Sequence, residues 1–181
     1  MIETCSIEGL LVVCPKKFGD DRGFFMETYS RRELAEAGFD REFVQDNQSL
    51  SKEVGVLRGL HFQTPPHGQD KLVRVLRGRI FDVAVDLRAN SSTYGQHFSI
   101  ELSAKNAKQL LVPIGFAHGF CTLEPDTEIA YKVSGFYAPD HDAGLCWDDA
   151  ELGIEWPLVG APILSAKDSN LPPFSAFTSP F

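Results

Sequence analysis

KLVRVLRGRIFDVAVDL, residues 71–87, reads as two strands hinged on one glycine. In an extended chain successive side chains point to opposite sides, so Lys71, Val73 and Val75 share one face and Leu72, Arg74 and Leu76 the other. Beyond Gly78, Phe81, Val83, Val85 and Leu87 form a fully apolar face, and Ile80, Asp82, Ala84 and Asp86 a mixed one. Period-two runs split by a turn residue predict neighbouring strands of a sheet.

The pattern repeats outward along the chain. Short apolar runs recur at 10–13, 24–28, 98–102, 109–112, 119–123 and 127–134, with Gly, Pro, Asn or Asp in most of the gaps. Helix signals are scarce. Ser30-Arg31-Arg32-Glu33 is a capping box, and Leu34, Ala35 and Ala37 followed by Gly38 make one short helix with a glycine stop. Many short strands with few helices predict a mainly β fold, a sandwich or jelly-roll barrel. The 181 residues, 43% of them hydrophobic, suffice for one well-buried core, so residues 1–181 are expected to form a single domain. The proline-rich stretch 156–173 is expected to pack as an irregular segment. No internal repeat or low-complexity tract is present.

Met1-Ile2-Glu3-Thr4 lacks the basic start and apolar run of an export signal. The longest uncharged apolar stretch, 110–123, is too short to span a bilayer and is broken by Pro113, Gly115 and His118. A cytoplasmic protein with no membrane partner is expected. Cys5, Cys14, Cys121 and Cys146 are scattered without a C-x-x-C pair, which predicts buried free thiols rather than disulfides or a zinc site.

The net charge of −8 argues against a nucleic-acid partner, yet the charge is unevenly placed. Residues 52–79 carry Lys52, Arg58, Lys71, Arg74, Arg77 and Arg79 against Glu53 and Asp70. Residues 124–155 carry nine carboxylates against Lys132 alone. A basic pocket in an acidic shell, suited to a small multiply charged anion, is the expectation. Solvated strand faces and surface ion pairs are the plainer account of any single arginine.

If the Lys71 face points inward, its ammonium needs a counter-anion or must lose its proton; alternatively the amine snorkels to water. Arg58, His61, His67 and Lys71 lie close together in sequence. Pro113-Ile114-Gly115-Phe116-Ala117-His118, a P-x-G-x-x-H run, resembles the second signature of the cupin barrels. The first cupin signature places a pair of histidines before a glutamate, then a glycine after six residues. Here His61 and His67 precede Lys71, and Gly78 follows at that spacing. A lysine in the carboxylate's place repels a divalent ion, so the pattern predicts a cupin-like barrel without a metal.

The resemblance narrows further along the chain. Asp21 to Phe25, Gln45 to Ser49, Arg58 to Gln63, Lys71 to Val75, Pro113 to Gly119, Tyr131-Lys132 and Ser165 to Asp168 resemble, in order, blocks of the dTDP-4-dehydrorhamnose 3,5-epimerase family. That resemblance implies a jelly-roll barrel, a homodimer whose strands cross between subunits, no metal or organic cofactor, and a nucleotide-linked 4-keto-6-deoxyhexose as substrate.

It also implies roles. His61 would be the general base with Asp168 as its orienting partner, Lys71 the cation facing a developing enolate, and Tyr131 the general acid; on its strand Tyr131 shares a face with Ile129 and Val133. Arg22, Glu27, Gln45, Asp46, Asn47, Arg58, His118, Tyr137, Asp142 and Lys167 would surround nucleotide and sugar, with Arg22 and Glu27 serving the partner's site. The family pattern has glutamate at the position of Asp142. Phe24 and Phe25 are candidates to stack on the base, with core packing as the plainer account. A single-site epimerase on a related 4-ketosugar, a metal-dependent cupin enzyme and an inactive sugar-binding cupin are the alternatives.

Overall fold

The computed structural model describes residues 1–181. Its strands are β1 (Ile2–Thr4), β2 (Leu11–Val13), β3 (Lys17–Asp20), β4 (Gly23–Met26), β5 (Gln45–Ser51), β6 (Leu57–Gln63) and β7 (Lys71–Arg77). There follow β8 (Arg79–Asp86), β9 (His97–Ser103), β10 (Gln109–Val112), β11 (Phe116–Thr122), β12 (Thr127–Val133) and β13 (Asp142–Gly144). The one α-helix, α1 (Arg31–Glu36), begins where the capping box predicts, with Ser30 Oγ accepting from the Glu33 N–H at 3.4 Å. It ends at Gly38, whose φ of +95° lets the Phe39 N–H turn back to the Leu34 carbonyl.

Two antiparallel sheets face each other, as in a jelly roll. One runs β1-β2-β10-β7-β12-β5 and the other β13-β6-β11-β8-β9, while β3 and β4 pair only with each other. Between the sheets lie Val73, Val75, Ile80, Ala84, Phe116, Phe120 and Ile129. The Lys71–Val73–Val75 face therefore points inward as predicted. The two faces of β8 divide in a less obvious way: the mixed face lines the interior, and the fully apolar one packs outward. Val83, Val85 and Leu87 meet Leu60, Phe62 and Leu145 there, and Trp156, Phe174, Phe177 and Phe181 of the C-terminal tail close over them. Burial of large apolar side chains is worth about 1.5–3 kcal/mol each. The tail is thus fixed to the sheet, which matters because Asp168 lies on it.

On the far side of the six-stranded sheet, Leu34 and Phe39 cover Leu11, Leu72 and Leu111. Strand β5 escapes an apolar reading because its sequence, QDNQSLS, is almost wholly polar; its pairing with β12 makes it a strand. All four cysteines are free, as expected, but only Cys121 is buried. Cys5, Cys14 and Cys146, each just outside a strand, are half-buried. No helix is long and apolar enough to cross a membrane.

Candidate active site

Arg58 and His61 are three residues apart on β6, a spacing that in a regular strand would put them on opposite faces. A register shift brings them together. His61 pairs with His118 and Arg58 with Phe120, so three steps along β6 match two along β11. The extra residue fits because glycines meet at the bulge. A Cβ on Gly59, whose φ is +122°, would lie 2.6 Å from the Gly119 Cα and 2.7 Å from the His118 carbonyl oxygen. Arg58, His61, His118 and Phe120 consequently all face one cavity.

That cavity, about 250 Å³, opens between the sheets. From the five-stranded wall come Arg58, His61, His118 and Phe120; from the six-stranded wall come Ser49, Lys71, Ile129 and Tyr131. Ser165 and Asp168 enter from the tail. A second recess shares His61, Lys71 and Tyr131 and adds Gln63, Gln69, Tyr137, Asp142 and Lys167.

His61 Nε2 and Asp168 Oδ1 are 2.5 Å apart. Asp168 is itself set by a local turn: its N–H donates to Ser165 Oγ, and the Ser165 hydroxyl donates back to Oδ2 at 2.7 Å. A carboxylate only accepts, so Nε2 carries the proton and Nδ1, which no protein group engages, is the basic nitrogen. Desolvation pulls the His61 pKa below its ordinary value, and the Asp168 charge restores part of that loss. The imidazole is therefore neutral at pH 7.

On the other wall, burial raises the Tyr131 phenol above its usual range, with Asn47, its register partner on β5, drawing it partly back. Burial lowers Lys71 to about 8, against the attraction of Asp82 and Asp142. Its amine donates to the His61 carbonyl oxygen at 3.2 Å. A free base, a loaded acid and a cation still charged at pH 7 share one cavity. Such an arrangement can remove a proton on one side of a carbon and return it on the other.

His118 makes a second histidine–carboxylate pair, Nε2 to Asp82 Oδ1 at 2.8 Å. Asp82 is fully buried, and its Oδ2 has no hydrogen-bond partner. A buried acceptor left without any partner costs about 1–3 kcal/mol, so stability does not account for a carboxylate at this place. Asp82 and Ser165 were missed as site residues. Ser165 had a readable signal in its S-x-x-D spacing before Asp168; nothing in the sequence pairs Asp82 with His118.

The remaining expectations divide. Asn47 and Gln45 share the face of β5 that carries the cavity residue Ser49 and are joined by a 2.8 Å hydrogen bond, but neither lines the cavity. Tyr137 and Lys167 both donate to Asp142 Oδ2, at 3.0 and 2.6 Å. Asp46, in contrast, points to the outer face of the sheet, where Lys132 pairs with it at 2.9 Å, because strand alternation turns it away from Asn47. Arg22 sits on the β3–β4 hairpin with a side chain 90% exposed, paired to Asp20, and Glu27 follows the same hairpin; neither reaches the chain's own cavity. Phe24 and Phe25 are exposed on that hairpin too. His67 stacks on His141 outside the cavity.

The basic stretch also divides. Arg79 pairs outward with Glu101 and Glu124, Arg74 lines a groove on the outer face, and only Arg58 and Lys71 enter the cavity. With Asp168 in the cavity, Asp142 in the adjoining recess and Asp82 behind His118, the site is mixed in charge rather than a basic pocket.

Known proteins resemble this chain along most of its length. The family model described as dTDP-4-dehydrorhamnose 3,5-epimerase matches residues 4–176. A dTDP-4-dehydrorhamnose 3,5-epimerase of Sinorhizobium fredii is 51% identical over 170 residues, 94% of this chain and 87% of that one. The crystal structure of the Bacillus anthracis enzyme of that name, with TDP and PPi bound, superposes with a TM-score of 0.93 at 50% identity, covering 96% of this chain and 98% of that chain. A dTDP-6-deoxy-D-glucose-3,5-epimerase from Legionella pneumophila, in complex with dTDP-4-keto-L-rhamnose, superposes with a TM-score of 0.94 at 41% identity, covering 98% of this chain and 94% of that chain.

Proposed function

The chain belongs to the dTDP-4-dehydrorhamnose 3,5-epimerase family, and on that premise we propose that it inverts both carbons flanking the ketone of dTDP-4-keto-6-deoxy-D-glucose to give dTDP-4-keto-L-rhamnose. The observation that carries this reading is the placement of His61 and Tyr131 on opposite walls of one cavity. His61 Nδ1 takes the proton from the α-carbon, and the C–H electron pair moves into an enolate. The Lys71 ammonium stabilises the enolate oxygen. Tyr131 then donates its phenolic proton to the other face of the same carbon. Solvent removes the proton from His61 and reloads Tyr131, after which the second carbon follows.

Asp168 holds the tautomer and stabilises the imidazolium as it forms. The drawn steps use no metal or organic cofactor. Arg58 is available to a diphosphate: its contacts to Ser51 Oγ and the Leu50 carbonyl are all 3.4 Å, long enough to yield to a better acceptor. Asn47, Gln45, His118, Tyr137, Asp142 and Lys167 are read as sugar and nucleotide contacts.

The same reading includes a homodimer with exchanged strands. Its support is the β3–β4 hairpin, unpaired with either main sheet and exposing Phe18, Phe24 and Phe25, together with β5, a free sheet edge. In that assembly Arg22 and Glu27 reach the partner's cavity. Sedimentation is expected to give twice the chain mass; a monomer at micromolar concentration removes the exchange. Four unpaired cysteines and a nucleotide-sugar substrate fit a cytoplasmic location.

The decisive experiment incubates the protein with dTDP-4-keto-6-deoxyglucose in deuterated water and follows the sugar protons by NMR. Deuterium at both carbons beside the ketone is expected. Label at one carbon reduces the protein to a single-site epimerase, and none at all overturns the reading.

A further inference from the structure

Asp82, buried behind the cavity residue His118, is a carboxylate that the proposed steps leave idle. Asp86, on the same face of β8, shows what a carboxylate built for stability looks like. Burial raises its pKa, but it accepts from the Arg88 guanidinium and backbone N–H, from Ser91 and from Thr93, which together bring it down to about 2. Asp82 has no such set of donors. It takes one hydrogen bond, from His118, and keeps Oδ2 bare in a fully buried position.

It lies close to the cation: the Lys71 amine sits against the His61 carbonyl, and His61 is the register partner of His118, which Asp82 holds. Of the groups that attract the Lys71 ammonium, Asp82 is the strongest, ahead of Asp142, while Lys167 repels it. The other titratable groups around the cavity are Arg58 and His61 from β6, His118 from β11, Tyr131 from β12 and Asp168 from the tail. Lys71 makes its one hydrogen bond to a backbone carbonyl, which carries no full charge. Desolvation disfavours a charged amine, so a fixed negative charge nearby decides whether Lys71 keeps its proton at working pH.

We propose that Asp82 is a positioning residue acting through Lys71 and His118: its fixed charge holds Lys71 as the ammonium an enolate needs, and its Oδ1 pins His118 so that Nδ1 is presented to the substrate. This rests on the reading of Lys71 as the enolate's cation. It explains an otherwise unfavourable carboxylate on an interior strand face, since the unmet acceptor is the source of the field. His118, held through Nε2–H, offers Nδ1 as an acceptor and suits a sugar hydroxyl rather than the ketone oxygen.

The test uses Asp82→Asn, whose amide oxygen can still accept from His118 Nε2 while the charge is gone. The Lys71 Cε resonance is titrated by NMR in the free enzyme, and kcat/KM for the ketosugar is measured across pH. In the unaltered protein the amine is expected to titrate near 8. In the variant the midpoint is expected to fall by about one unit or more. The alkaline limb should move with it, so that activity drops about fivefold or more at pH 8 and far less at pH 6. An unmoved midpoint, or an equal loss at every pH, overturns the proposal. Asp82→Ser, which has room for a water, carries the same expectation, so either folded variant decides. Lys71→Met separates the two readings: full activity there defeats the role of Lys71, whereas inactivity alongside an unmoved Asp82→Asn titration defeats only the role of Asp82.

Discussion

Two histidine–carboxylate pairs stand side by side in this barrel, since His61 and His118 are register partners on β6 and β11. Their distances are similar, 2.5 and 2.8 Å, but their surroundings are opposite. His61 is 30% exposed, and its carboxylate is fully served by the Ser165 turn. His118 is 9% exposed, and its carboxylate keeps a bare oxygen in the interior behind it. A base must exchange protons with solvent on every turnover, which suits the first pair. A bare buried carboxylate projects its charge onto its neighbours, which suits the second. The same two residue types thus serve as a proton shuttle at the mouth and as a fixed electrostatic support beneath it.

The largest effect expected from that contrast separates the histidines themselves. His61→Ala should lower deuterium exchange into the ketosugar by about 10²–10⁴-fold, the range a positioned general base contributes. His118→Ala should raise KM and reduce exchange by much less. Equal losses of kcat would break the distinction. Next comes the carboxylate at the mouth. Asp168→Asn leaves the imidazole without the charge that stabilises its protonated form, so kcat should fall steeply, toward the loss from His61→Ala. Asp168 raises the His61 pKa, so its removal should also carry the acid limb of kcat/KM to lower pH. The alkaline limb, set by Lys71, should stay near 8. Asp82→Asn moves the other limb, and a variant that moved both limbs equally would show that the two pairs share one function.

Parts of this were open to reading from residues alone. The inward face of Lys71, Val73 and Val75 follows from alternation, and the helix at Ser30 from its cap. Three features were hidden for physical reasons. The β6 bulge depends on Gly59 meeting Gly119 across strands, a contact between positions far apart in sequence. Asp168 reaches His61 only because tail aromatics pack on the apolar face of β8. Alternation separates the apolar from the mixed face of that strand without saying which lies inside; the mixed one does, because the tail packs on the apolar one. Alternation was also the signal that Asp46 and Asn47 could not both line the site; motif resemblance grouped them, and the pleat divides them.

The smallest effect belongs to the rim and joins the two pairs. Lys167 lowers both the His61 and the Lys71 pKa, because its positive charge disfavours a second one nearby. Lys167→Gln should therefore raise both, shifting the acid and alkaline limbs upward together. The shift should be only a few tenths of a pH unit, since Lys167 is 44% exposed and already paired with Asp142, and partly exposed charges interact by fractions of a kcal/mol. Salt should shrink it further, whereas the displacement from Asp82→Asn, arising in a desolvated interior, should persist. Measuring kcat/KM against pH at low and high ionic strength checks both. If the Asp82 displacement collapses in salt as the Lys167 one does, that interior is solvated and the division between an exchanging mouth and a fixed base of charge is wrong.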